Sequence, residues 1–248
     1  LIPAIDGLQD IRYLTNRTLY SIESLPGLML ILGAGPIGVE MAAALHRLGV
    51  RITLVEQAEG ILARDDKELA DELTDMLRAE GIEILLGTKA VRFREESGQI
   101  VAHVENQDGD RELRADAVLV AVGRTANVED LDLERAGVAY DRDGVQVDAH
   151  LRTTASNIYA AGDLVPPYRF SHIAEHEAIV ATVNTCAGLP IRRMRYEHVI
   201  WTTFTEPELA HAGLTEEQAR EKHGDAIHIY RWPYRDIDPK GRGGPISL

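Results

Sequence analysis

The chain has 248 residues, 45% of them hydrophobic and 27% charged, and 26 basic against 40 acidic side chains leave a formal charge of −14. With no Lys/Arg run, that balance argues against nucleic acid as a partner, and no apolar stretch reaches the roughly 20 residues of a membrane span. A single cysteine, Cys186, excludes a disulfide, a dithiol pair or a Cys-rich zinc site built from this chain's own residues.

Gly27 to Leu32 is a continuous apolar run that meets glycines at once, which predicts a strand buried on both faces. From Pro36 the spacing of Ile37, Met41, Ala44, Leu45 and Leu48 is helical, and Gly49 closes the helix. Ile52 to Val55 is a second buried strand, so a right-handed βαβ unit is expected. Asp65 to Glu80 is a second amphipathic helix, and a third strand runs from Ile82 to Leu86. Three alternating segments follow, 90–95, 100–105 and 111–114, separated by Ser97-Gly98 and Asp108-Gly109. They predict an antiparallel meander. Ala117 to Ala121 returns as a buried strand.

Beyond Asp143-Gly144, short strands are expected at 145–147 and 158–161, and a helix from Ser171 or His172 to Cys186. Tyr196 to Phe204 reads as extended, Thr215 to His223 as a capped helix, and Ala226 to Trp232 as a strand. The sequence opens at Leu1 without Met and stops at Gly243-Gly244-Pro245-Ile246-Ser247-Leu248, and it reads as a piece of a longer polypeptide. No basic-then-apolar leader pattern is visible, and a cytoplasmic location is expected.

Gly33-Ala34-Gly35-Pro36-Ile37-Gly38 is GxGxxG, a weak pattern alone. Here it follows a buried strand, opens a helix, and is answered about twenty residues later by Glu56 at the end of the next strand. Gly33 allows the tight turn, Gly35 lets the backbone approach a pyrophosphate, and Gly38 permits close packing of helix on strand. The free amides at the helix start then meet negative charge. A carboxylate at Glu56 can accept hydrogen bonds from ribose hydroxyls and would repel a 2′-phosphate, so NADH is expected in preference to NADPH.

Four motifs occur in order. They are GxGxxG, then Val122-Gly123-Arg124-Thr125-Ala126-Asn127, then Thr154 to Asp163 with its closing Tyr159-Ala160-Ala161-Gly162-Asp163, then Phe204-Thr205-Glu206-Pro207-Glu208 with Gly213-Leu214-Thr215-Glu216. Together they resemble the class I pyridine nucleotide-disulfide oxidoreductases, the two-dinucleotide flavoproteins of the dihydrolipoamide dehydrogenase and mercuric reductase kind. The wording around Trp201 to Ala210 and Tyr230 to Tyr234 is most similar to the mercuric-reductase-like branch. Ala126 replaces a common proline and Pro239 follows Asp238 where a basic residue is usual.

The resemblance implies an α/β fold: a Rossmann-like NAD-binding domain with a parallel sheet and a three-stranded meander, part of an FAD domain, and the start of an α+β dimerisation domain. It divides the chain into 1–26, the end of a first FAD segment; 27–150, the NAD(P)-binding domain; 151–195, a second FAD segment; and 196–248, the start of the dimerisation domain. Gly33, Gly35, Pro36, Ile37, Gly38 and Glu56 would hold the dinucleotide, with Glu40 and Gly123 near the nicotinamide. Asp163 would bind the ribityl chain of FAD with Ala161 and Gly162 beside it, and Ser171 would start a helix whose amides face the flavin C2 carbonyl. The family's first GxGxxG, its CxxxxC pair and its C-terminal His-Glu pair have no counterpart here. The implied activity is hydride transfer from NAD(P)H to FAD and on to a disulfide, dithiol or metal-ion acceptor, small molecule or small protein, in a homodimer. The alternatives are an NADH oxidase or peroxidase of related architecture, and a non-catalytic NAD-binding module.

Other features have plainer readings. Cys186 reads as a small buried or half-buried helix residue, and Ser171 would serve equally as an ordinary helix cap. His172 and His176 share a helix face, yet lack a third metal ligand. Asp65, Asp66, Glu68, Asp71 and Glu72 read as a solvated helix start, and Trp201 and Trp232 as packing residues.

Overall fold

The computed structural model describes residues 1–233; Tyr234, the Asp238-Pro239 step and the closing 243–248 stretch lie outside the described residues. The chain divides into two compact units. One joins Leu1–Gly123 to the segment that begins at Thr202, and the other is Arg124–Trp201.

The first unit runs β1 (Tyr13–Leu14), β2 (Leu28–Leu32), α1 (Pro36–Arg47), β3 (Arg51–Val55), α2 (Lys67–Glu80) and β4 (Glu83–Leu85). The antiparallel β5 (Lys89–Glu96), β6 (Gln99–Asn106) and β7 (Gly109–Ala115) follow, and β8 (Ala117–Val120) returns to the main sheet. That sheet is parallel throughout, in the order β1-β8-β2-β3-β4. Leu30 in the middle of β2 stands between Thr53 and Val118.

The apolar residues of β2 divide by face. Met29 and Ile31 pack with Val39 and Ala42 of α1, Leu54 of β3, and Leu73 and Leu77 of α2. Leu30 and Leu32 point the other way, into Phe93, Ile100, Ala102 and Val104 of the meander. A strand covered on both faces has no side to leave polar, hence the unbroken apolar run. Ser97 and Gly98, both at positive φ, connect Glu96 to Gln99 in the two-residue turn that hairpin twist favours. β1, only two residues long, carries no pattern that sequence could have shown.

The second unit has little regular structure before α3 (Ser171–Ala187). The strands expected at 145–147 and 158–161 are only isolated bridges, Tyr140 to Val145, Val147 to Thr153 and Arg152 to Tyr159. Asp148 is the reason: its Oδ1 accepts the amides of His150 at 2.8 Å and Arg152 at 3.1 Å, turning the backbone where a ladder would continue. The buried stripe of α3 is Ile173, Glu177, Val180 and Asn184, at helical spacing. Cys186 lies on the far side from Asn184 and is exposed, against the expectation of burial.

β9 (Ile200–Thr203) and β10 (Leu209–Ala212) form a two-stranded sheet, followed by α4 (Glu216–His223). Residues 196–198, expected to be extended, form a 3-10 turn instead, and strand begins only at Ile200. No strand forms over 226–232. Trp232 in that stretch is exposed rather than packed, whereas Trp201 is buried.

The acidic start of α2 is not a wholly solvated face. Asp65 is buried with Oδ1 3.9 Å from Nδ1 of the equally buried His211. Asp66 Oδ1 accepts the Glu216 amide at 2.7 Å, and Glu68 takes Arg231 Nε at 2.7 Å. These carboxylates anchor the returning segment of the same unit; Asp71 and Glu72 remain exposed as expected.

Candidate functional site

Gly33, Glu56 and Gly123 follow the carboxyl ends of the neighbouring strands β2, β3 and β8, the place where parallel sheets bind ligands. Gly33 has φ 96°, and a Cβ there would stand 2.6 Å from Ala121 O and 2.9 Å from Val122 Cα. A Cβ on Gly38 would stand 1.9 Å from Gly33 O, so the first turn of α1 sits against the loop. Around Gly35 the opposite holds: a Cβ would meet nothing within 4 Å. The loop is therefore closed toward the protein at Gly33 and Gly38 and open at Gly35, the residue at which the sequence leads one to expect the backbone to meet a pyrophosphate. Pro36 stands at the first helical position, no side chain caps α1 at Gly35, and Ile37 is half-buried behind the turn. These amides fit a diphosphate.

Glu56 is tied into this loop. Oε2 accepts the Ala34 amide at 2.7 Å and Oε1 the Ala58 amide at 2.9 Å. An ionised carboxylate has about four acceptor directions, so both oxygens keep capacity for ribose hydroxyls. Glu40, on α1, accepts the Phe204 amide through Oε1 at 3.0 Å. Gly123, at φ 123°, is exposed past the end of β8.

The second group of residues assembles within the other unit. Ala161 leads into a 3-10 turn over Gly162–Leu164, and Asp163 on this turn projects a half-exposed carboxylate that takes Arg124 Nη1 at 3.0 Å. Arg124 also donates through Nη2 to the Arg169 carbonyl. Arg169 donates in turn to the carbonyls of Asp163 at 3.2 Å and Asp143 at 2.5 Å. Ser171 is the first residue of α3; the cap position belongs to Phe170, and no side chain bonds the helix start. The ordinary Ser-cap reading is thus set aside. The seventeen-residue α3 offers uncapped amides, which suits the partial negative charge of a carbonyl.

Two residues not singled out from sequence complete this group. Glu177, fully buried on α3, accepts the Gly162 amide through Oε2 at 2.6 Å and the Tyr196 hydroxyl through Oε1 at 2.7 Å. Burial pushes its carboxyl above the usual range, although both hydrogen bonds favour the charged form. Tyr196 is pushed up as well, by burial first and then by its bond to Glu177. The available signal was a glutamate four residues after Ile173 and three before Val180, on the apolar stripe of its helix. Among the described residues no cluster of three or more metal-ligating side chains exists, and His172 Nε2 instead faces the Ile200 carbonyl at 2.5 Å.

The family model for pyridine nucleotide-disulphide oxidoreductases matches residues 1–185. The chain belongs to this family. The model of the family's dimerisation domain matches residues 199–241. Mercuric reductase of Bacillus cereus is 35% identical over 221 residues, covering 89% of this chain and 35% of the relative. Dihydrolipoyl dehydrogenase of Thermus scotoductus is 36% identical over 223 residues, covering 89% of this chain and 48% of the relative. Among solved structures, the HOCl-induced flavoprotein disulfide reductase RclA from Escherichia coli superposes with a TM-score of 0.84 at 32% identity, over 96% of this chain and 54% of that one. The chain thus spans about a third to a half of the length of these relatives. Members of the family are oxidoreductases that work with FAD and a nicotinamide dinucleotide, and the parallel sheet with its antiparallel meander is the α/β architecture expected of them.

Proposed function

We propose that this chain supplies the NADH-binding portion, and part of the flavin site, of an FAD-dependent oxidoreductase that passes hydride from NADH to FAD and on to a disulfide, dithiol or metal-ion acceptor. The observation that carries this reading is the loop from Gly33 to Gly38, closed against Ala121 and Val122, open at Gly35, and answered by Glu56. A bound flavin would supply the two-electron hydride acceptor, which this chain's residues would hold and orient.

The chain's own residues bind and orient. The first-turn amides of α1 take the diphosphate and Glu56 takes the adenosine ribose. Glu40 and Gly123 line the nicotinamide end. Asp163 holds the ribityl chain beside Ala161 and Gly162. The α3 start at Ser171 turns its amides toward the flavin carbonyl, where negative charge grows on reduction. In this reading 27–150 is the dinucleotide domain, 151–195 belongs to the flavin domain, and 196–248 opens the dimerisation domain. The match of 199–241 supports a homodimer.

Calorimetric titration with NADH and with NADPH tests the reading. NADH is expected to bind more tightly, and Glu56→Ala to weaken it by about tenfold or more, the cost of losing a charge-assisted hydrogen bond. NADPH should lose far less. Equal affinity of the unaltered protein for both nucleotides would remove Glu56 as the discriminating residue, and binding of neither would remove the assignment.

A further inference from the structure

Around the Gly162–Leu164 turn, most contacts come from backbone or from arginines at the surface. Val145 donates to the Leu164 carbonyl at 2.8 Å, Arg169 reaches the Asp163 carbonyl, and Arg124 pairs with the Asp163 carboxylate. Glu177 differs in kind, because it is a fully buried carboxylate reaching the turn from inside. Its two oxygens have separate partners, the Gly162 amide and the Tyr196 hydroxyl. Tyr196 is itself held by aromatic packing, with its ring 5.8 Å from that of Tyr168, which lies 5.5 Å from Trp201.

A buried carboxylate is expensive to keep where an apolar side chain would pack. Nothing in the hydrophobic cluster of Ile173, Val180, Met194 and Trp201 requires a charge. What this carboxyl group does is fix one amide, that of Gly162, immediately before Asp163. Gly162 has φ 80°, a conformation that glycine reaches without strain, and the bond to Glu177 fixes its amide there.

We infer that Glu177 is a positioning residue: by accepting the Gly162 amide it holds the turn in the geometry that presents the Asp163 carboxylate to the polyol chain of the flavin. This rests on the assignment of the turn to flavin made above. Arg124 and Arg169 brace the outer side of the same turn, and Tyr196 fixes the orientation of the Glu177 carboxylate.

The test uses the full polypeptide and reads flavin affinity by fluorescence on titrating the apoprotein with FAD, beside NADH affinity and the exchange rate of the Gly162 amide. Glu177→Asp keeps the charge but shortens its reach by one methylene; it should weaken FAD by about tenfold and speed exchange at Gly162, since a hydrogen bond to a charged group is lost. Glu177→Gln keeps an oxygen at full reach and an amide for Tyr196, and should restore both to within about threefold. NADH affinity should stay unchanged in both, which separates positioning from loss of fold. Asp163→Ala serves as reference and should lose flavin outright.

If Asp163→Ala loses flavin while Glu177→Asp binds it as the unaltered protein does, the inference is overturned and the flavin assignment stands. If Glu177→Gln loses flavin as fully as Glu177→Asp, an oxygen at full reach does not restore the turn, and positioning through that reach is again overturned. If Asp163→Ala retains flavin, the assignment of the turn fails and the inference falls with it. Should Glu177→Asp not accumulate, exchange at Gly162 in the unaltered apoprotein decides: protection supports the bond to Glu177, and free exchange overturns it.

Discussion

Two glycines of the loop, Gly33 and Gly38, act through contact rather than through a ligand. A methyl on Gly38 would lie 1.9 Å from Gly33 O, a backbone atom fixed by the bond from Gly33 N to the Val55 carbonyl at 2.8 Å. Gly38→Ala is therefore expected to cost on the order of 1–3 kcal/mol through overpacking and to abolish NADH binding, as denaturant unfolding and calorimetry would show. Gly35→Ala meets no such contact and should fold normally while binding dinucleotide poorly. Glu177 gives a pH dependence whose sign follows from its raised carboxyl. A raised folded-state value means the stabilising contribution is complete below the ordinary glutamate range and fades as pH climbs through the folded value. Glu177→Gln lacks this loss, so its melting temperature relative to the unaltered protein should rise as pH passes upward through that window. A constant difference across it would show that Glu177 stays protonated or charged throughout. Glu83 has the opposite sign: burial alone would raise it, but bonds from Arg111 at 2.7 Å and Thr53 at 2.8 Å bring it below normal. Its contribution is lost as pH falls through the lowered value.

α4 shows how a short element is secured. Thr215 accepts the Gln218 amide at 3.2 Å and Gln218 returns a side-chain oxygen to the Thr215 amide at 3.2 Å, a capping box that Thr215 and Gln218 announce three residues apart. Thr215→Ala should lower stability by about 1 kcal/mol, and Thr215→Ser by less, in chemical denaturation. The elements legible in the sequence are those whose signal is local. β2, α1 and β3 declare themselves through an apolar run, glycines at fixed spacing and a helical stripe, and the meander through its turn at Ser97-Gly98. The illegible elements depend on distant partners or on side chains that capture backbone. Tyr13–Leu14 is a strand only because β8 lies beside it, and 145–161 fails as sheet because Asp148 turns the chain. The same division holds for the candidate sites. Gly33 to Gly38 and Glu56 could be read in place, whereas the partners of Glu177 lie 15 residues before it and 19 after it.

At the scale of the whole chain, each proposed cofactor has residues in one unit: the dinucleotide set in the first, and the flavin set in the second. Ligand-linked protection should follow that division. At a concentration one hundred times its Kd, NADH stabilises by about 2.7 kcal/mol if only the folded form binds, and hydrogen exchange should slow around β2, α1 and β3. FAD should instead slow the 161–173 stretch. Protection of the flavin stretch by NADH alone would contradict the assignment. No helix among the described residues is long and apolar enough to cross a membrane. The path of the chain through the first unit bears on its synthesis. Leu209 joins the core built by β2 and α1, Glu206 O receives Arg47 Nη2 at 2.7 Å, and Asp66 waits for the amide of Glu216. On the ribosome, all of Arg124–Trp201 is made before these groups emerge. The core of the first unit needs residues made after the second, so a chain stalled before residue 209 is expected to leave part of that core uncovered and to bind chaperones.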